Sequence, residues 1–288
     1  GTTWSQSALN NQYVFCLAVS GNNIFAGTTN GVYLSTNNGS SWTQTTLDDE
    51  SVSSLAISGN NIFAGTGNGI YFSTNNGQAW TQTAFNNQYV YSLAISGNNI
   101  FAGISYYGVY LSTNNGTSWT QTALNNQEVY SFAISGNNIF AGTEGSGVYL
   151  STNNGQNWTQ TSLNNLWVRS FAISGKNIFA GTVSGVYLST NNGSSWTLSE
   201  FFYQSVEALA ISGKNIFAGI GSDGVYLSTN NGSNWTQTAL RNQKVYSLTA
   251  SENNIFAGTV AGVFISLNNG RRWTQTALND KKVFSLAI

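Results

Sequence analysis

The sequence predicts an all-β chain folded as a seven-bladed β-propeller of four-stranded antiparallel blades. Three observations carry that prediction. Trp4, Trp42, Trp80, Trp119, Trp158, Trp196, Trp235 and Trp273 recur every 38 or 39 residues. Between consecutive tryptophans lie four short β-rich runs, each bounded by Gly, Asn or Ser. The chain has no proline, and no stretch carries the period of an amphipathic helix. Four antiparallel strands in a unit of about 40 residues make a propeller blade, because radial stacking of twisted sheets covers their faces and protects their edges.

The unit from Val90 to Thr122 justifies each strand in order. Strand A, VYSLAI, is apolar on both alternations, as expected where both sheet faces are covered. Strand B, NIFAG, ends in Ala-Gly in every unit, and a glycine there marks close approach by another backbone. Strand C, GVYLST, precedes the turn, and strand D, WTQT, follows it. Ser-Gly-Asn-Asn joins A to B, and Thr-Asn-Asn-Gly joins C to D, both good turn chemistry. The units run approximately 13–50, 51–88, 89–127, 128–166, 167–204, 205–243 and 244–281, in one domain spanning 1–288.

A surplus half repeat remains: an outer strand D at Thr2–Ser7 and an inner strand A at Val283–Ile288. Rings are normally sealed by pairing strands from both chain ends within one blade. These two segments cannot both do so in a closed seven-bladed ring, so either one end is displaced or the chain belongs to a longer repeat array. An eighth blade would lack B and C.

Charge is unusually sparse, at 7% of residues against roughly 25% in ordinary soluble domains. Forty asparagines, with Ser, Thr and Gln, supply polarity instead. The net charge is −1, without a basic stripe to neutralise phosphates, so nucleic acid is not an expected partner. No segment approaches 18 apolar residues, so membrane insertion is not expected. Cys16 stands where other units have Ser or Ala and reads as a small packing residue. The chain begins at Gly1 and has no methionine, which fits a mature product or a piece of something longer.

The C–D turn carries a family resemblance. Ser35-Thr36-Asn37-Asn38-Gly39-Ser40-Ser41-Trp42 resembles the Asp-box, S/T-x-D-x-G-x-T-W, of sialidases and bacterial BNR-like propellers, including the photosystem-assembly propellers. It recurs at Ser73–Trp80, Ser112–Trp119, Ser151–Trp158, Ser189–Trp196, Ser228–Trp235 and Ser266–Trp273. Asn37, Asn75, Asn114, Asn153, Asn191, Asn230 and Asn268 stand where the family has Asp. An Asn side chain can still accept backbone N–H bonds and close the turn. In the family the box is a structural turn opposite the active site, so the resemblance implies a fold and not a chemistry. The arginine-rich surface of the photosystem-assembly propellers is not matched here. The family's secreted members, the low charge and the Asn-Gly turns together favour an extracellular or cell-surface bacterial origin.

Up-and-down blades put A–B and C–D turns on one face, and D–A and B–C loops on the other. The first face is nearly uniform, with Glu252 in place of a turn glycine as its main A–B exception. The second varies from unit to unit, which is where a rigid scaffold usually carries specificity. Its extra aromatics, Tyr13, Tyr89, Tyr106, Tyr107, Trp167, Phe202 and Tyr203, are the candidate ligand-binding residues. Trp167 leads: variation at its position predicts an exposed indole that, beside Leu166, forms an apolar patch near the channel mouth. Phe201 occupies the leucine column of strand D and is predicted to be buried. In strand A the column Phe15, Ser53, Tyr91, Tyr130, Arg169, Glu207, Tyr246 and Phe284 carries charge only at Arg169 and Glu207, which are predicted to pair.

No catalytic constellation emerges. Without histidine, Ser-His-Asp and Cys-His chemistry and His-based metal sites are closed. Asp48-Asp49-Glu50 reads as a solvated acidic turn, since calcium needs six to eight oxygens. Asp48, Glu128, Glu144 and Asp223 are placed on different blades, without the paired carboxylates a glycosidase needs. Only four arginines exist, and Arg271 and Arg272 fall on the uniform face. The expectation is a non-catalytic binding or scaffolding propeller without cofactor or metal, meeting a protein or carbohydrate surface, self-associating, or continuing a longer array. A lectin-like propeller using aromatics and amides is the alternative; a sialidase-like hydrolase is less favoured.

Overall fold

The computed structural model describes residue 9 and residues 12–202, 204–279 and 282–287; the side chains of Phe201 and of residues 277–279 lie outside this description. Seven four-stranded antiparallel sheets follow one another, each in the order A-B-C-D. Blade 4 is representative: A is Val129–Ser135, B is Asn138–Thr143, C is Val148–Ser151 and D is Thr159–Gln160. Strand D begins after the tryptophan, and in four blades it is only two residues long. Inner strands of consecutive blades pack on one another from blade 1 to blade 7, which is the radial arrangement of a propeller.

The core lies between blades. Phe101, Val109 and Leu124 of blade 3 pack against Val129, Ile139, Ala141 and Trp158 of blade 4. The same set recurs at the six junctions between consecutive blades, so Trp80, Trp119, Trp158, Trp196, Trp235 and Trp273 occupy equivalent positions. Trp4 lies outside the described residues. Burial peaks on strand B, whose Phe25, Phe63, Phe101, Phe140, Phe179 and Phe217 are fully enclosed. Strand A is mostly half-buried in blades 2, 4 and 5, short of the coverage its composition predicted, and mostly buried in blade 6, at Val206–Ser212. The strand-B glycine is a close approach, to a side chain at Gly65, where a Cβ would stand 2.7 Å from Val90 Cγ1 of the next blade, and to backbone at Gly103, where it would run into Val129 O.

Asparagine closes the C–D turn as its chemistry predicts. Ser35 Oγ accepts the Gly39 N–H at 2.8 Å and donates to Asn37 Oδ1 at 3.0 Å, while Asn37 Oδ1 accepts the Ser41 N–H at 2.9 Å. Asn37 Nδ2 also donates to Ser41 Oγ at 2.9 Å. The same bond forms where the unit has serine at that position, from Asn114 to Ser118 and from Asn191 to Ser195. The following Asn38 and Gly39 both adopt positive φ, 55° and 82°, the left-handed region those residues tolerate best.

The C-terminal segment resolves half of the closure question. Residues 282–287 join no ladder, yet the Val283 N–H donates to Thr259 O at 3.0 Å. Val283 packs against Gly258 as Val245 packs against Gly219. Phe284 lies 4.9 Å from Tyr246 of blade 7 and 6.5 Å from Phe15 of blade 1. The segment therefore takes an inner-strand place between the last blade and the first. The other surplus segment, Thr2–Ser7, lies outside the described residues.

Candidate functional site

Each inner strand begins with a β-bulge, and the bulges build the mouth of the channel. In blade 3, Val90 pairs with Ile104 and Ser92 with Gly103, leaving Tyr91 as the extra residue. The same shift occurs in every blade, at Phe15, Ser53, Tyr130, Arg169, Glu207 and Tyr246. A bulge twists the strand and re-aims one side chain. The residue before strand A is tied to the B–C loop of its own blade: Ser105 N–H donates to Tyr89 O at 3.0 Å, Glu144 N–H to Glu128 O at 3.0 Å, and Val183 N–H to Trp167 O at 3.2 Å. Those bonds hold the D–A and B–C loops together on one face.

Side chains from these positions form a continuous run. Tyr89 packs on Tyr91 at 4.8 Å, Tyr91 stacks on Tyr130 at 4.4 Å, and Tyr130 meets Trp167 at 5.3 Å. The Arg169 guanidinium sits over the Trp167 ring at 4.0 Å and binds Glu207 at 3.0 Å, the pairing that the column predicted. Ser205 Oγ donates to Glu207 Oε1 at 2.8 Å. On blade 7, Lys244 Nζ stands 5.2 Å over the Tyr246 ring.

Two carboxylates converge within this run. The Tyr130 hydroxyl reaches Glu144 Oε2 at 2.9 Å and Glu128 Oε2 at 3.3 Å, and Ser105 Oγ donates to Glu128 Oε1 at 3.2 Å. Glu128 and Glu144 belong to one blade, contrary to the expectation that the acidic candidates are spread over different blades. They meet because the residue before strand A and the residue after strand B are paired across the ladder. Burial, then the hydrogen bond and charge of Glu144, hold the Glu128 carboxyl above its usual range. Burial first, then Tyr91 and Glu144, push the Tyr130 phenol well up.

The raised Glu128 carboxyl has a stability consequence with a definite sign. A carboxyl whose folded pKa exceeds its unfolded value binds its proton more tightly in the native state, so stability falls as pH rises through that window. Glu128→Gln is expected to raise the urea midpoint at about pH 7, and to leave it unchanged at about pH 4, near the ordinary glutamate value. Denaturation curves at both pH values check this; a lowered midpoint at pH 7 would refute the assignment.

The other predicted site residues divide. Tyr13, Tyr89, Tyr106 and Tyr107 are 64%, 42%, 72% and 47% exposed. Tyr106 is also held at φ 60°, uncommon for a bulky side chain. Trp167 is half-buried, not freely exposed: Tyr130 and Arg169 cover its ring, and its Nε1 is enclosed with no hydrogen-bond partner among the described residues. Leu166 turns into the core between blades 4 and 5, so the expected Leu166–Trp167 patch does not form. Phe202 is 6% exposed and packs against Tyr226 and Trp235 as a core residue. A register shift in strand D of blade 5 pairs Val186 with Glu200 and Tyr187 with Leu198. The shift gives Phe202 the core place held by Leu163 in blade 4. Tyr203 and the Phe201 side chain lie outside the described residues. Cys16 packs as expected: its Sγ faces Gly27 and the Val52 carbonyl, and burial pushes the thiol up to about 12.

Tyr91, Tyr130 and the Glu128–Glu144 pair were not among the predicted ligand residues. The available signal was the alternation of period two, which puts the residue before strand A and the second residue of strand A on the same side.

Seven radial four-stranded sheets around a channel make this chain a repeat β-propeller. Residues 1–128 match the family model described as the DUF6242 beta propeller domain. No curated protein matches the chain in sequence. Among solved structures, the extracellular domain of BT4673 from B. thetaiotaomicron is similar at 20% identity and a TM-score of 0.69, over 88% of this chain and 38% of that one. YCF48 bound to D1 peptide gives 13% identity and 0.67, over 88% and 92%. PorZ, a surface component of the type-IX secretion system of Porphyromonas gingivalis, gives 19% and 0.65, over 93% and 38%. The chain thus spans well under half of the BT4673 and PorZ chains, and at these identities the likeness is one of fold. BT4673 and PorZ are an extracellular domain and a surface component of bacterial proteins. Among the described residues no helix is long and apolar enough to cross a membrane.

Proposed function

We propose that the chain is a non-catalytic binding module of a secreted or cell-surface bacterial protein, and that it reads a protein segment at the channel mouth. The observation that carries this is the run Tyr89–Tyr91–Tyr130–Trp167, which starts at a ring 42% exposed and continues into half-buried ones. Aromatic anchors backed by rigid neighbours are what recognition surfaces use, because little side-chain entropy is lost on contact. The D1 peptide on YCF48 and the surface location of PorZ support the protein and cell-exterior parts of the reading.

The test is selection of a displayed peptide library on the purified chain, run beside a glycan array. Tyr89→Ala and Trp167→Ala are each expected to weaken a selected peptide roughly 30-fold, the equivalent of about 2 kcal/mol for a stacking anchor, with an unchanged far-UV spectrum. Binding that survives both substitutions, or that maps to the Ser-Gly-Asn-Asn turns, would overturn the assignment of the face. Glycans bound in place of peptides would move the reading to a lectin.

A further inference from the structure

The nine Lys and Arg residues all fall at or after Arg169, whereas Asp48, Asp49, Glu50, Glu128 and Glu144 are the only charges before it. The first four blades are therefore purely acidic. Their five carboxylates all lie in D–A or B–C loops, on the face of the mouth. That charge separation coincides with the aromatic wall: Tyr89, Tyr106 and Tyr107 of blade 3 are exposed, Ser105, next to Tyr106, bonds Glu128 of blade 4, and Tyr89 leads through Tyr91 to Tyr130, whose hydroxyl reaches Glu128 and Glu144.

Blades 5 and 7 show what this belt does with a cation. Blade 5 lays Arg169 over Trp167, and blade 7 holds Lys244 over Tyr246. Blades 3 and 4 present the same kind of rings with carboxylates added, and their own sequence supplies no cation. We propose that this sector receives an arginine- or lysine-bearing segment of a protein partner, with the tyrosine faces stacking on the cation and Glu128 and Glu144 as its counter-charge. The proposal rests on the reading of the mouth as a binding face and names the chemistry of its partner. Ring faces attract cations through their quadrupole, and complementary potentials speed encounter and reject like-charged competitors.

Fluorescein-labelled peptides of repeated Gly-Ser-Arg, and counterparts with Gln or Glu in place of Arg, provide the probe, read by anisotropy. The Arg peptide is expected to bind, and the Gln and Glu peptides to bind at least about tenfold more weakly. Raising salt from about 50 to about 500 mM should weaken the Arg peptide, because the contacting carboxylates are only partly buried. The double variant Glu128→Gln, Glu144→Gln preserves shape and should cost on the order of tenfold, whereas Glu252→Gln on the opposite face should change nothing. A melting curve at or above that of the parent chain shows that the double variant folds. An Arg peptide that fails to bind, or that binds the double variant equally, overturns the proposal. If the Gln peptide or a glycan binds instead and is lost in Tyr89→Ala, the mouth remains the binding face and only the basic partner is wrong. If no probe is sensitive to Tyr89→Ala, both readings fall.

Discussion

Gly77→Ala is expected to destabilise the propeller by about 4 kcal/mol, and Gly39→Ala by only about 1 kcal/mol, although both glycines close the same turn. Their backbones are nearly identical, with φ of 76° and 82°, and the left-handed region alone costs an alanine roughly 1–2 kcal/mol. Their surroundings differ. A Cβ on Gly77 would stand 2.6 Å from Phe25 Cε1 in the preceding blade, whereas one on Gly39 would meet only Trp42 at 3.9 Å. Phe25 is fully enclosed and cannot move without disturbing its packing, which adds roughly 1–3 kcal/mol of overpacking. Urea midpoints of the two variants give the comparison. Equal losses would mean that the neighbouring phenylalanine yields, and that the blade junction is looser than its burial indicates.

Phe25→Ala is expected to cost about 4 kcal/mol, within the usual range of roughly 3–5 for a large aromatic removed from a core. The ring joins Val32 and Leu47 of blade 1 to Val52, Ile62, Ala64 and Trp80 of blade 2, so its loss opens a cavity at a junction and not inside one sheet. The two sites touch, so their effects should not add. With the ring gone, the extra methyl at position 77 has room, and the double variant Phe25→Ala, Gly77→Ala should lose measurably less than the sum of its parts. A strictly additive double variant would contradict the contact.

Much of this molecule is legible in its sequence. The tryptophan period, the strand-B phenylalanine and the Ser-x-Asn-x-Gly turn are repeated in one short unit, and their partners are either local or in the adjacent copy. The Ser35–Asn37–Gly39–Ser41 bonds span at most four residues, so residue identity and spacing determine them. The Arg169–Glu207 pair was equally legible, since two residues one repeat apart in the same column must be neighbours when blades stack.

What only the tertiary structure decided depends on register. The bulge at Tyr91 and its equivalents has no signature in a column of residues as unlike as Ser53, Arg169 and Phe15, because a bulge is set by how two ladders close on each other. The meeting of Glu128 and Glu144 around Tyr130 follows from that closure. One shifted residue gave Phe202 the core place that the sequence assigned to Phe201. The cover that Tyr130 and Arg169 place over Trp167 comes from two neighbouring strands at once, and the position of Phe284 between Tyr246 and Phe15 joins opposite ends of the chain. Periodic sequence determines which residues face the core and the mouth. Which of them touch is determined by packing between strands and blades, where a displacement of one residue changes the partner.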